Sequence, residues 1–553
     1  MIATLERVAF KTSRLAEFCS QKELIAQNGQ AVADWPMVIL KELVDNALDA
    51  CEEAEIAPEI TIEVSAETGE IVIADNGPGL PPATIEAILD YTSRVSSREA
   101  YVSPTRGAQG NALKTVIAMA FALDGNRGVT IIEAHGQAHR IIFEMDPVRR
   151  EPRVLREISS SVVQIGTRVT VRWPNSASSV LEEAEARFVQ IAGSFTTFNP
   201  HLSLSVRGNG DELVNISATD FGWRKWRACD PTNAHWYDVE RFGRYMAAHI
   251  ARDQDDGRIG RTVAEFIAEL RGLSRSDKRK LVLAEAEASG VSLSSFFEGG
   301  EGKVERLLTA CKVQTEPVKP QQLGIIGSDH LLAECLALGG AEESFKYKRH
   351  IGVNDFGPYV LEAAFAYCPD DGDDHDATII TGVNFSVGIQ NPFERLGPLL
   401  SLSSLLEHQR AGRREPIVFI LHYTCPRIDY ADRGKSGVYL PEIVTTYIYD
   451  LVTKVTADWA KQRKREERDS SRQRERRDRL VSTQKVTIKD AAFEVMERAY
   501  DKASGVVPRE GASDYVRCPP RDPFNDRQGY AQRPIFHADS VGRLYEGAPR
   551  AMC

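Results

Sequence analysis

Pro36 to Cys51 reads PMVILKELVDNALDAC. Val38, Leu40, Leu43, Val44, Ala47 and Leu48 recur at helical spacing, which predicts one amphipathic helix. Glu42 and Asn46 lie four residues apart and share a face of it. A carboxylate there can accept a proton from an attacking water, and a carboxamide oxygen can ligate Mg2+. Taken alone, the pair also fits an ordinary polar helix face.

Outward from this helix come two short β-like runs, Ile60 to Val64 and Ile71 to Ile73. The turn Glu67-Thr68-Gly69 joins them as a hairpin. Asp75-Asn76-Gly77-Pro78-Gly79 follows directly. A carboxylate at a strand end can accept a hydrogen bond from an exocyclic amine such as adenine's, and glycines let the backbone approach a ligand closely. The same residues can also be no more than a turn. Gly107-Ala108-Gln109-Gly110 opens a second predicted helix, Asn111 to Leu123. Backbone N–H groups at such an opening bind phosphate, although a flexible loop has the same composition. Lys114 reads as an exposed lysine, with reach to a phosphate as the alternative. Gly166-Thr167 precedes a strand and says little by itself. Further strands are predicted at 129–134, 141–144 and 168–173. The element order implies an α+β layer, a sheet with helices on one face.

The chain has 553 residues, 42% hydrophobic and 27% charged, which excludes a disordered, collagen-like or fibrous chain. No apolar run reaches membrane-span length, and Met1 to Lys11 shows no secretory signal. Nine cysteines without a CxxC pair argue against zinc and disulfide scaffolds and suit the reducing cytoplasm. With 68 Lys plus Arg against 79 Asp plus Glu, the net charge is -11. That excludes a histone-like basic coat but leaves room for a local DNA-binding face. GxxxxGK followed by Ser or Thr is absent, so this is not a P-loop nucleotide site.

Beyond residue 219 the pattern turns helical, with candidates at 238–252, 262–271, 276–288 and 304–311. Strands return at 360–367, 378–387 and 417–422, followed by a helix over 441–459. Residues 461–479 are dense in arginine and read as a solvated helix extension or linker, with a DNA-contacting face as the alternative. Residues 487–505 form an amphipathic candidate whose apolar side is Ile488, Ala491, Phe493, Val495 and Met496. From 506 to 553 periodicity is lost, which predicts a disordered tail.

Taken together, the glycine loops and the Glu42–Asn46 helix resemble the GHKL ATPase superfamily of gyrase B, MutL, heat-shock chaperones and sensor kinases. The resemblance implies the Bergerat ATPase sandwich with bound ATP and Mg2+. Glu42 would be the general base, Asn46 the Mg2+ ligand and Asp75 the adenine reader. Gly77 and Gly79 would frame a lid. Gly107, Gln109, Gly110 and Asn111 would hold phosphates, and Thr167 would sit near the base.

ELVDNALDACEE (42–53), with SRLAEF (13–18) upstream, resembles the B-type subunit of DNA topoisomerase VI, and the C-terminal helix suggests the bacterial type. Asp230 to Gly290 is similar to that family's helix-two-turns-helix insertion. Gly357 to Tyr367 and Ile417 to Ile443 are similar to its α/β transducer. Lys435 falls where the family places a lysine that reaches the γ-phosphate; otherwise it is an exposed loop residue. The stretch 93–110 departs from the family's shorter run, leaving lid closure and phosphate geometry open.

The resemblance implies an ATPase domain over 1–218, a helical domain over 219–322 and a transducer over 323–460. A charged helix or linker (461–486), a partner-type helix (487–505) and the tail (506–553) complete the division. It also implies an ATP-gated homodimer acting on double-stranded DNA in the nucleoid, with strand cleavage by a separate A-type subunit. Alternatives are a GHKL clamp in repair or phage defence without strand passage, or an inactive remnant. A sensor kinase is disfavoured because residues 1–36 contain no histidine. Shifted by one base, codons for 508–520 permit a sequence similar to an A-type subunit, so the tail can also be read as out-of-frame text; the nucleotide sequence decides.

Overall fold

The computed structural model describes residues 15–89, 100–106, 112–146, 152–255, 257–369, 376–397, 400–431 and 437–505. Gly107, Gln109, Gly110, Asn111, Lys435 and the tail 506–553 lie outside the described residues. Cα packing divides the chain into residues 1–470 and 471–553.

The first unit opens with α1 (Gln21–Asn28) and the 19-residue α2 (Trp35–Glu53). Pro36 suits the first turn of α2, where its missing N–H leaves no helical bond unmade. Strands β1 (Glu59–Ser65) and β2 (Glu70–Asp75) form the predicted antiparallel hairpin. Gly69 turns it at φ 63, so close to the Trp173 carbonyl that a Cβ would lie 2.8 Å away. Then come α3 (Pro82–Ile88), α4 (Ala112–Asp124), β3 (Arg127–Ala134), β4 (Gln137–Met145), β5 (Pro152–Ser160) and β6 (Thr167–Arg172). Helix α5 (Ser178–Phe198), β7 (Ser203–Gly208) and β8 (Asp211–Ile216) finish the layer.

The eight strands run β5-β4-β3-β6-β2-β1-β7-β8, antiparallel except for the parallel β1–β7 pair. In β3 every second residue is buried, so one face of the sheet takes α2, α4 and α5. Helix α4 is buried all round from Lys114 to Ala122. This corrects the exposed reading of Lys114, which is only 3% accessible because α4 is enclosed by its neighbours.

Helices α6 (Val239–Asp255), α7 (Val263–Ala268), α8 (Ser276–Glu285), α9 (Leu293–Phe297) and α10 (Glu301–Gln314) pack around a separate core that includes Phe242, Phe266 and Phe296. Beyond them lie α11 (Ser328–Ala337), β9 (Lys346–Asn354), β10 (Gly357–Tyr367), β11 (Thr378–Val383) and β12 (Ser386–Val387). Helix α12 (Leu402–His408), β13 (Ile417–Thr424), β14 (Asp429–Tyr430) and β15 (Val438–Tyr439) follow. The order of this second sheet is β12-β11-β13-β10-β9. Strand β13 is buried throughout and β10 nearly so, because both faces of the sheet are covered. Ala364, Ile380 and Val418 join the core of the first sheet, while Leu361, Phe365 and Phe419 pack with Leu405, Ile448 and Trp459.

The predicted single strand 378–387 is instead a hairpin. Asn384 and Phe385 adopt φ 50 and 65, which reverses the chain between β11 and β12. Helix α13 (Glu442–Ser504) runs on through 461–479, whose side chains are exposed apart from the half-buried Arg463. In the second unit Ile488, Phe493, Val495 and Met496 are also exposed. No described helix is long and apolar enough to cross a membrane.

Candidate nucleotide site

Helix α2 buries Val38, Leu40, Leu43, Val44, Ala47 and Leu48 in the core. That burial fixes its rotation and leaves Glu42 half-buried and Asn46 exposed. At the C-terminal end of the same helix, the Cys51 thiol donates to Asn76 Oδ1 at 3.4 Å. Asn76 also accepts from Glu59 N at 2.9 Å and donates to Ala57 O at 3.0 Å, tying the end of β2 to the start of β1. Asp75 is thereby set beside the end of α2. Glu42 and Cys51 are separated by about 13 Å of helix at 1.5 Å per residue, a stretch suited to an extended nucleoside triphosphate.

Asp75 Oδ1 accepts from Gly77 N at 2.8 Å and from Thr167 N at 3.2 Å. Burial raises its carboxyl above the usual range, against these two N–H groups. With Oδ1 held, Oδ2 is the oxygen left for a ligand amine. Three glycines make this close packing possible. A Cβ on Gly166, at φ 77, would lie 1.7 Å from the Asp75 carbonyl oxygen. On Gly77 it would meet Asp75 Oδ1 at 2.9 Å, and on Gly79, at φ 84, His135 Nε2 at 2.9 Å. Asp75, Gly77, Gly79 and Thr167 are thus one cluster, with Glu42 and Asn46 farther along α2.

Tyr430 extends the site toward the second sheet. Burial, offset by Lys41 and reinforced by Asp45 and Glu42, pushes its phenol up to about 12. Strands β14 and β15 pair here, and Ala431 N donates to Gly437 O at 2.9 Å. Ala431 and Gly437 are thus joined next to Tyr430, whose phenol feels the charges of Lys41, Asp45 and Glu42 on α2.

Residues 31–177 match the family model for histidine kinase-, DNA gyrase B- and HSP90-like ATPases. Over that stretch the α+β layer has the fold of this ATPase family's domain. Over a longer span the chain is similar to the B-type subunit of type 2 DNA topoisomerase 6 from Archaeoglobus fulgidus, 23% identical over 461 residues, covering 78% of this chain and 71% of that protein. The corresponding protein of Metallosphaera sedula is 21% identical over 421 residues, covering 72% and 74%. That of Natronomonas pharaonis is 30% identical over 215 residues, covering 37% of this chain and 26% of its own length. These relatives are archaeal.

Around the candidate site the structure adds residues that sequence reasoning missed. Arg106, Asn199, His201, Lys225 and Ser386 gather on the flank of α2 that carries Asp45, Asp49 and Glu52. The acidic spacing of 45, 49 and 52 is visible in the sequence; the groups that meet it come from distant segments. His135, against Gly79, carries no local signal either.

Proposed function

We propose that this chain binds and hydrolyses ATP beside α2 and is the ATP-gated subunit of a topoisomerase VI-like type II DNA topoisomerase. The observation that carries this reading is a single helix that presents Glu42 and Asn46 from its middle turns, with the pinned Asp75 set beside its C-terminal end. Asp75 Oδ2 would accept from the adenine amine. Gly107, Gln109, Gly110 and Asn111 would supply the phosphate loop. Glu42 would accept the proton of the attacking water. Asn46, accessible one turn away, suits a single oxygen ligand to Mg2+, with phosphates and waters completing the shell. Mg2+ there would neutralise phosphate charge. Lys435 would contact the γ-phosphate and pass hydrolysis to the second sheet.

The similarity to the B-type topoisomerase 6 subunits over most of the chain supports the larger assembly. Two copies would close on double-stranded DNA when ATP binds, and a separate A-type subunit would cut it. The bacterial affiliation rests on residues 487–505.

The test is ATP turnover by the purified chain with Mg2+. Glu42→Ala should lower kcat by about 100-fold or more while ATP still binds, since general-base contributions fall in that range. Wild-type turnover that survives the substitution would overturn the assignment of Glu42. Relaxation of supercoiled DNA by the chain with an A-type protein tests the larger reading; ATP turnover without relaxation would favour a clamp.

A further inference from the structure

Asp45, Asp49 and Glu52 form a stripe on α2 beside the Glu42–Asn46 face. Arg106, whose side chain is fully enclosed, closes on that stripe. Its Nη1 donates to Asp49 Oδ1 at 2.7 Å and to Glu52 Oε2 at 2.9 Å, and its Nη2 to Glu52 Oε1 at 2.7 Å. This is a two-pronged guanidinium–carboxylate pair, with directional as well as charge recognition. Nη2 also donates to Asn199 Oδ1. Nε donates to the Phe385 carbonyl at 3.3 Å, which Asn199 Nδ2 reaches at 3.1 Å. The next residue, Ser386, donates its hydroxyl to Asp45 Oδ2 at 2.7 Å. Arg106 and Ser386 therefore fasten the β11–β12 turn of the second sheet to α2.

The turn is unusual in its own right. Asn384 and Phe385 both have positive φ, as a two-residue hairpin loop requires, but phenylalanine does not favour that region. Surrounding contacts hold it there. Phe385 N donates to His422 Nε2 at 2.9 Å, and its ring packs on His422 and Trp223. Lys225 Nζ lies 2.7 Å from Glu52 Oε2 and 5.6 Å from the centre of the Phe385 ring. Lys41, 2.7 Å from Asp45, completes a balance of three basic side chains against three carboxylates. Groups so thoroughly removed from water need their partners in place, so movement of α2 and movement of the turn are linked.

We propose that Arg106 is a positioning residue that latches α2 to the 384–386 turn, so that nucleotide held along one flank of the helix is felt by the second sheet on the other. The proposal rests on reading the Glu42–Asn46 face of α2 as an ATP site. Arg106 fits the role because its guanidinium directs five donors in a rigid plane to Asp49, Glu52, Asn199 and the Phe385 carbonyl, where a lysine ammonium has three and no fork.

Hydrogen exchange across 380–390 of the full chain, with and without a non-hydrolysable ATP analogue and Mg2+, tests it alongside ATP turnover. In the wild type, nucleotide should slow exchange at the turn. Arg106→Lys keeps the charge and loses the fork; Ser386→Ala removes one neutral link and leaves every charge paired. Each should cut the nucleotide-dependent gain by about tenfold, the scale of one charge-assisted hydrogen bond. Exchange with nucleotide bound should rise more than nucleotide-free exchange does, and kcat should fall more than KM for ATP rises. If both variants keep the full gain, or if exchange rises equally with and without nucleotide, Arg106 is only a structural clasp and the proposal fails. A wild-type chain that binds no ATP analogue would instead sink the reading of that face, and the latch with it.

Discussion

Asp75 shows how one side chain can be set for recognition by its own backbone. Gly77 N and Thr167 N occupy Oδ1, which fixes the carboxylate plane and leaves Oδ2 for the proposed adenine contact. Asp75→Asn can keep the pinned oxygen while turning an NH2 toward the adenine amine. The expected outcome is about a 10- to 100-fold loss of ATP affinity with little change in the unfolding midpoint, since a mismatched buried donor costs about 1–3 kcal/mol. Calorimetric titration with ATP checks this; unchanged affinity would remove Asp75 from the adenine contact. The glycines are legible in the sequence as positions of backbone freedom. The reason Gly166 matters, its contact with the Asp75 carbonyl, depends on a residue far away in the chain.

Between elements, long-range contacts decide what periodicity cannot. Helix α2 and the β1–β2 hairpin follow from local pattern, and the structure keeps both. By contrast, 378–387 has the apolar run of one strand, and nothing local in Asn384-Phe385 announces a reversal. The turn is held by Arg106, Asn199 and His422. Glu362 joins elements in a similar way. Fully buried on β10, it accepts from Ile326 N and Gly327 N at 2.9 Å each and from Tyr347 Oη at 2.7 Å, fixing the approach to α11. Glu362→Ala would leave these donors unmet in a dry site. A loss of about 3 kcal/mol or more is expected in urea unfolding, with Glu362→Gln milder; a loss under about 1 kcal/mol would show that water replaces the carboxylate.

For the protein as a whole, buried histidines set a pH response. Burial and then Arg106 lower His422 from 6.5 to about 3; burial and then Arg261 lower His249 to about 4. Below pH 6.5 the unfolded chain takes up these protons while the folded chain resists them. The unfolded state therefore binds more protons, and stability falls as pH falls from 6.5 toward 4. Each histidine should contribute up to about 1.4 kcal/mol per pH unit in that window. Urea midpoints at pH 7.5 and 5.5 check this, and equal midpoints would refute it. His422→Gln should make the dependence shallower.

Local pattern in the chain suffices for the elements with strong period and for the residue types of the candidate site. Glu42 and Asn46 share a face because α-helix geometry is local, and Asp75 follows a strand because β-patterning is local. The acidic stripe 45, 49 and 52 is equally plain in the chain, without any sign of what it meets. It took the folded arrangement to enclose Arg106 there, to bury Lys114 and to make Phe385 turn the chain. Those outcomes depend on segments brought together by burial of their apolar faces, 279 residues apart for the Arg106–Phe385 bond and 341 for Ser386–Asp45, and local spacing carries no record of such meetings.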